Sequence, residues 1–128
     1  VRLLFHPGWE DGRLSSLQAG LRAAGEAHGA LVLPVDTVGV RAATLAALLK
    51  EADASPALAI RPRYRGKTGR LLWISHQLFE EIRGLVSSPD FRLDAWMAER
   101  ETAWETDDPA VLNNTNTQAE WEAARRLL

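Results

Sequence analysis

Apolar positions fall along the chain in two periods. Short apolar runs at residues 1–5, 30–35 (ALVLPV), 57–60 and 71–74 have no helical spacing and predict short buried strands. Between them, Leu14, Leu17, Leu21 and Ala24 recur at helical spacing, as do Leu45, Leu48, Leu49 and Ala52. A third set, Leu78, Phe79, Ile82, Leu85 and Val86, predicts a helix opening after Ser75 as N-cap. Residues 91–100 predict a shorter helix with Leu93, Trp96 and Met97 inward, and residues 101–108 an edge strand. Ser15 with Gln18, and Thr117 with Glu120, have capping-box spacing, the second opening a terminal helix with Trp121, Ala124 and Leu128 on one side. Residues 6–12 (HPGWEDG) and 61–70 (RPRYRGKTGR) read as loops.

Strands alternating with amphipathic helices predict an α/β fold, a mostly parallel sheet with helices on both faces. Ligands in such sheets gather beyond the carboxyl ends of the strands, which narrows the search to a few loops. No repeat, low-complexity tract or linker divides residues 1–128, so one domain is expected.

Composition removes several classes. A formal charge of −2 argues against a general nucleic-acid binder. The chain has no cysteine, which excludes disulfides and thiolate zinc sites and suits a cytoplasmic protein. No apolar run approaches the ~20 residues of a membrane span. His6, His28 and His76 lack metal-ligand spacing.

Four segments carry candidate chemistry. Asp36 follows the run ALVLPV; it is either a magnesium ligand at the ligand crevice or a turn residue. Five of the ten residues at 61–70 are basic and none is acidic, which suits a phosphate-bearing ligand or a solvated loop. Tyr64 in this stretch and Trp9 beside the first loop are candidates to stack on a ring. Gly12 to Gly20 (GRLSSLQAG) leads a glycine loop into a helix start, either an anion site or a plain cap. Residues 112–117 (LNNTNT) offer amide oxygens to a metal or simply make turns.

Taken in chain order, the four segments resemble the molybdenum-cofactor nucleotidyltransferases, the cytidylyl and guanylyl transferases that complete that cofactor. The stretch from Gly12 to Leu21 is similar to their glycine-then-Ser-Leu segment, and VLPVD to their strand ending in a metal-binding aspartate. Tyr64-Arg65-Gly66-Lys67-Thr68-Gly69 followed by a strand and SHQLFEEI resembles their loop and the helix beyond it. Asn114-Thr115-Asn116-Thr117-Gln118-Ala119-Glu120 resembles their Asn-Ile-Asn-Thr-Pro-Glu-Asp segment.

The resemblance implies a nucleotide-diphospho-sugar-transferase-like, three-layer Rossmann-like fold. It implies transfer of a nucleotidyl group from a nucleoside triphosphate (GTP or CTP) to a phosphorylated acceptor such as molybdopterin, with Mg2+ and release of pyrophosphate. Asp36 and Lys67 would be catalytic, Asp36 and Asn116 metal-side. Gly12, Ser15 and Ser16 would face the nucleotide, and Arg65, Gly66, Lys67, Gly69 and Asn114 the acceptor. Three departures stand out. The family's opening strand and Leu-Ala-Gly-Gly loop, which cradle the triphosphate, have no counterpart in residues 1–128, so a first βα unit is missing and no measurable transfer is expected of this chain alone. Asp36-Thr37-Val38 lacks the proline usual two residues on, and Gly69-Arg70-Leu71 lacks the proline that often follows. Alternatives are a non-catalytic relative that binds an anion or a protein partner, and an enzyme for a sugar or polyol phosphate.

Overall fold

A two-residue turn decides the sheet. The computed structural model describes residues 1–128, with strands β1 (Gly29–Val32), β2 (Ala59–Tyr64), β3 (Lys67–Thr68), β4 (Leu72–Ser75) and β5 (Glu101–Glu105). Helices are α1 (Arg13–Ala24), α2 (Ala42–Ala54), α3 (His76–Gly84), α4 (Leu93–Ala98) and α5 (Gln118–Arg125). Two 3₁₀ turns, Trp9–Asp11 and Pro109–Leu112, complete the order. No helix is long and apolar enough to cross a membrane.

The sheet is mostly antiparallel, which corrects the expected mostly parallel one. β1 pairs with β4, β4 with β2, and β3 with β2, all antiparallel; β2 and β5 alone are parallel. A parallel connection needs a crossover of a dozen or more residues, whereas only Arg65 and Gly66 separate the paired Tyr64 and Lys67. Both turn residues have positive φ, 47° and 79°, the backbone of a tight hairpin whose second position suits glycine. Residues 61–70 are therefore a hairpin rather than a loop.

β3 and β4 follow each other along one edge of β2, and β5 occupies the other. Between the two antiparallel pairings, residues 69–72 face only residues 61–62 of β2, which makes a two-residue bulge. Pro62 is tolerated inside β2 because it faces this bulge, where its carbonyl accepts from the Gly69 N–H.

Helices cover both faces, as expected. One face of the sheet presents Ala59, Leu72 and Ile74 to Leu14 and Leu21 of α1, Leu78, Phe79 and Ile82 of α3, and Met97 of α4. The other presents Ile60, Leu71 and Trp73 to Leu48 and Ala52 of α2 and to Val111. Period-two alternation along β4 sends neighbours to opposite cores.

Other expectations change in detail. Residues 1–5 are no strand: they are exposed, Val1, Leu3 and Phe5 almost fully. An apolar run becomes a strand only where an edge pairs its backbone, and the Arg2 guanidinium instead donates to the Ala23 carbonyl. β1 stops at Val32, before Leu33-Pro34, and a turn closed by Thr37 N–H on the Pro34 carbonyl carries Asp36. Gly12, not Ser15, caps α1; Gln18 spans to the Ile82 and Leu85 carbonyls at the end of α3. The Thr117–Glu120 capping box forms, but α5 buries no residue.

Asp108 ties α2 to the second 3₁₀ turn. Its buried carboxylate accepts from the Thr44 hydroxyl, the Arg41 N–H and the Ala110 N–H at 2.7, 2.9 and 3.0 Å. Burial raises its pKa, but these donors outweigh burial and hold it below the usual carboxylate value. A depressed folded pKa gives stability that is present above the unfolded value and lost as pH falls through the folded one. We expect Asp108→Asn to lower unfolding free energy by about 1–3 kcal/mol at neutral pH. In urea melts across pH, its gap from wild type should narrow below the ordinary carboxylate range; a gap independent of pH would contradict this role.

Candidate functional site

The main concavity lies between α1, the first core face of the sheet and α4. Its volume is about 720 Å³, within the range of small-molecule sites. Leu17, Leu21, Ala30, Val32, Leu72 and Met97 give it an apolar floor, with Trp9, 65% exposed, at its wall. Gly12 and Ser16 line it from the start of α1, and Gly20 from further along the same helix. Three guanidinium groups, from Arg13, Arg61 and Arg70, share this wall with a single carboxylate, Asp94.

Each guanidinium already has an acidic partner. Arg13 donates two hydrogen bonds to Asp94, at 3.0 and 3.3 Å. The Arg13 hydrogen bond holds the Asp94 pKa below its ordinary value against burial, with further attraction from Arg13, Arg61 and Arg70. Arg61 is buried and its Nε donates to Glu101 on β5 at 2.7 Å, while Nη1 donates to the Gly69 carbonyl at 3.1 Å. Arg63 pairs with Glu105 in the same way, one strand pair further along. Two of the five basic residues at 61–70 thus hold β5 to β2, a cross-strand role hidden in the sequence because their acidic partners lie 40 and 42 positions away.

Asp36 stands in the turn that follows β1 and is engaged by Arg70. The Arg70 Nη1 donates to Asp36 Oδ2 at 2.8 Å and reaches Asn114 Oδ1 at 3.4 Å. The other oxygen, Asp36 Oδ1, is buried and has no hydrogen-bond partner. The Thr115 N–H donates to the Asp36 carbonyl, and the Asn113 side chain to the Val38 carbonyl, so the LNNTNT segment packs along the Asp36 turn. Asn116 directs its N–H to Glu120 within the α5 cap.

The predicted residues therefore divide. Asp36 and Asn114 meet at Arg70, and Gly12 and Ser16 share the cavity wall with it. Ser15 turns away: its hydroxyl donates to the Gly8 and Gly12 carbonyls and meets His6. Arg65, Gly66 and Lys67 form the exposed hairpin tip and do not line the cavity. Arg65 lies over the half-buried Tyr64 ring, 5.2 Å from its centre. Gly69 is buried in the bulge. Sequence reasoning missed Arg13, Arg70 and Asp94. Arg13 and Arg70 lay inside candidate segments, 12–20 and 61–70, whereas Asp94 left no signal.

An oxygen-liganded cation suits this donor set. Magnesium commonly takes one or two carboxylates and completes its shell with water and substrate phosphate. The unpartnered Asp36 Oδ1 and the neighbouring Asn114 Oδ1 are donors of that kind. No three His, Cys, Asp or Glu side chains cluster as a closed metal cage.

The fold is a five-stranded mixed α/β sheet with helices on both faces and polar segments gathered around Asp36 and Arg70. The chain belongs to the MobA-like NTP transferase domain family, whose model matches residues 1–103. Asn114 and Asn116 fall beyond the matched residues. Its fold is of the nucleotide-diphospho-sugar-transferase type and is shared with solved mycobacterial structures. The Mycobacterium tuberculosis rv0371c homolog from Mycobacterium sp. strain JC1 is 19% identical with a TM-score of 0.65, over 88% of this chain. Rv0371c from M. tuberculosis H37Rv is 24% identical with a TM-score of 0.59, over 90%. Rv0371c in complex with manganese is 25% identical with a TM-score of 0.57, over 88%. The match spans 59% of the length of each of these proteins. No curated protein matches the chain.

The arginines of the hairpin separate by burial. Arg61→Met should destabilise the fold by about 3 kcal/mol in urea titration, because it strands the half-buried Glu101 without its partner. Arg65→Ala should stay within about 0.5 kcal/mol of wild type. Equal effects would mean the Arg61–Glu101 pair does not hold β2 to β5.

Proposed function

We propose that this chain is part of a nucleotidyltransferase that moves a nucleotidyl group from a nucleoside triphosphate, GTP or CTP, to a phosphorylated acceptor such as molybdopterin, releasing pyrophosphate. The observation that carries the reading is Asp36: a carboxylate in the turn after β1, bound to the Arg70 that lines the 720 Å³ cavity, and keeping one buried oxygen without a partner. Membership of an NTP transferase family supplies the substrate class.

The roles follow from position. Trp9 offers an exposed indole face to a base, and Gly12 and Ser16 offer the start of α1, whose first N–H groups favour negative charge. Asp36, with Asn114 and Asn116 on the adjacent segment, would hold Mg2+. When bound there, the ion supplies positive charge to phosphate oxygens. Lys67, beside Arg65 and Gly66 on the exposed hairpin tip, would meet the acceptor's phosphate and offset charge developing on the transferred group. Ser15 acts through its bonds to the Gly8 and Gly12 carbonyls, which fix the loop ahead of α1. Gly69 contributes the bulge that sets the hairpin against this site.

A second reading, a non-catalytic relative that binds an anionic ligand, is favoured by one observation: Arg70 already neutralises Asp36. Thermal unfolding with ATP, GTP, CTP and UTP, each with magnesium, separates the two. The nucleotidyltransferase reading expects GTP or CTP at tenfold its Kd to raise Tm by about 3–8 °C, and the other bases less. Stabilisation by none of the four would overturn it. Arg65→Ala and Lys67→Ala should each weaken binding of a phosphorylated pterin by about 1.5–3 kcal/mol without moving Tm. Equal affinity across wild type and both variants would remove the hairpin from the acceptor site.

A further inference from the structure

Arg70 is a cavity-wall cation that the proposed chemistry leaves without a task, and its placement is specific. The bulge at residues 69–72 swings it off the β2 edge, buries Leu71 on the side of α2, and brings the guanidinium to Asp36. Its Nη1 serves two acceptors, Asp36 Oδ2 and Asn114 Oδ1. The metal reading needs the same Asn114 oxygen and the other oxygen, Oδ1, of the same Asp36 carboxylate. A divalent ion held by the Asp36 carboxylate would repel the guanidinium already bonded to it, and more strongly where burial lowers the dielectric. The Asp36 side chain is only 18% exposed, so screening there is incomplete, whereas Arg70, at 42%, has room to leave.

We propose that Arg70 is a resident counter-ion of Asp36 that competes with a divalent cation for the same carboxylate, so that metal binds only as the guanidinium is displaced. The inference rests on the reading of Asp36 as a metal-side residue. It makes Arg70 a residue that sets metal affinity rather than one that touches the reacting atoms. Competition of this kind keeps a lone, partly buried carboxylate neutralised when no cation is present, at the expense of its affinity for one.

Manganese is a suitable probe because its free ion is counted directly by electron paramagnetic resonance. Mn2+ alone, without nucleotide, would be titrated into wild type, Arg70→Gln, Arg70→Lys, Asp36→Asn with Arg70→Gln, and Arg22→Gln. The last removes an exposed charge from α1 and controls for net charge. Melting curves establish that each variant is folded. Competition predicts that Arg70→Gln binds Mn2+ about three- to tenfold more tightly than wild type, the scale of a partly exposed ion pair. Arg70→Lys, which keeps the charge, should stay close to wild type, and so should Arg22→Gln. The double variant should lose the gain. Unchanged or weaker binding in Arg70→Gln overturns the competition while leaving nucleotide stabilisation of wild type intact as evidence for the function. A double variant that binds as tightly as Arg70→Gln puts the ion elsewhere, and both this inference and the metal reading of Asp36 fall together.

Discussion

The close approach of two backbones at Gly69 fixes the site. A β-carbon on Gly69 would lie 2.0 Å from the Val111 carbonyl oxygen, a separation no side chain can occupy. Glycine there lets the bulge press against the 3₁₀ turn Pro109–Leu112, and three consequences follow from that single contact. Arg61 gains the Gly69 carbonyl as a buried acceptor. Arg70, the next residue, is aimed at Asp36. The chain leaving Val111 runs directly into Asn113, Asn114 and Thr115, which bond along the Asp36 turn. Segments far apart in sequence reach one rim because one position has no side chain.

Charge in this molecule serves two distinct ends, and burial tells them apart. The Arg61–Glu101 pair has side chains 8% and 18% exposed, where an unpaired partner is costly, so it is structural. Arg13–Asp94 is more than half exposed on both sides and contributes little to folding. It can open to a ligand at small cost. Arg70–Asp36 lies between these limits, with the carboxylate covered and the guanidinium accessible. That asymmetry suits a pair whose cation is exchanged.

What the sequence made legible were the features set by local pattern. Helices on both faces followed from the spacing of Leu14, Leu21, Leu48, Phe79 and Ile82, and the Thr117–Glu120 box was readable as a cap. Asp36 was singled out by its place after an apolar run. The strand directions were not legible, because the hairpin turn is Arg65-Gly66, and an arginine at positive φ is not a usual turn signal. Pro62 fits inside β2 because it sits where a bulge makes no demand on its missing N–H. Apolarity alone also misled at residues 1–5, which have no pairing edge, and in α5, which buries no side chain. Within the site, Arg70 was one charge among five until the bulge gave it a direction.

The proposed function requires that a cation and a nucleotide meet between Asp36 and the start of α1. Paramagnetic broadening of backbone amide signals by Mn2+ in the presence of GTP or CTP tests that claim most directly, since the effect falls steeply with distance from the ion. The account predicts loss of signal centred on Asp36 and Thr37, Arg70 and Thr115, with shifts but less broadening at Gly12 and Ser16. Broadening centred elsewhere, such as the surface carboxylates Glu80 and Glu81 on α3, would contradict it.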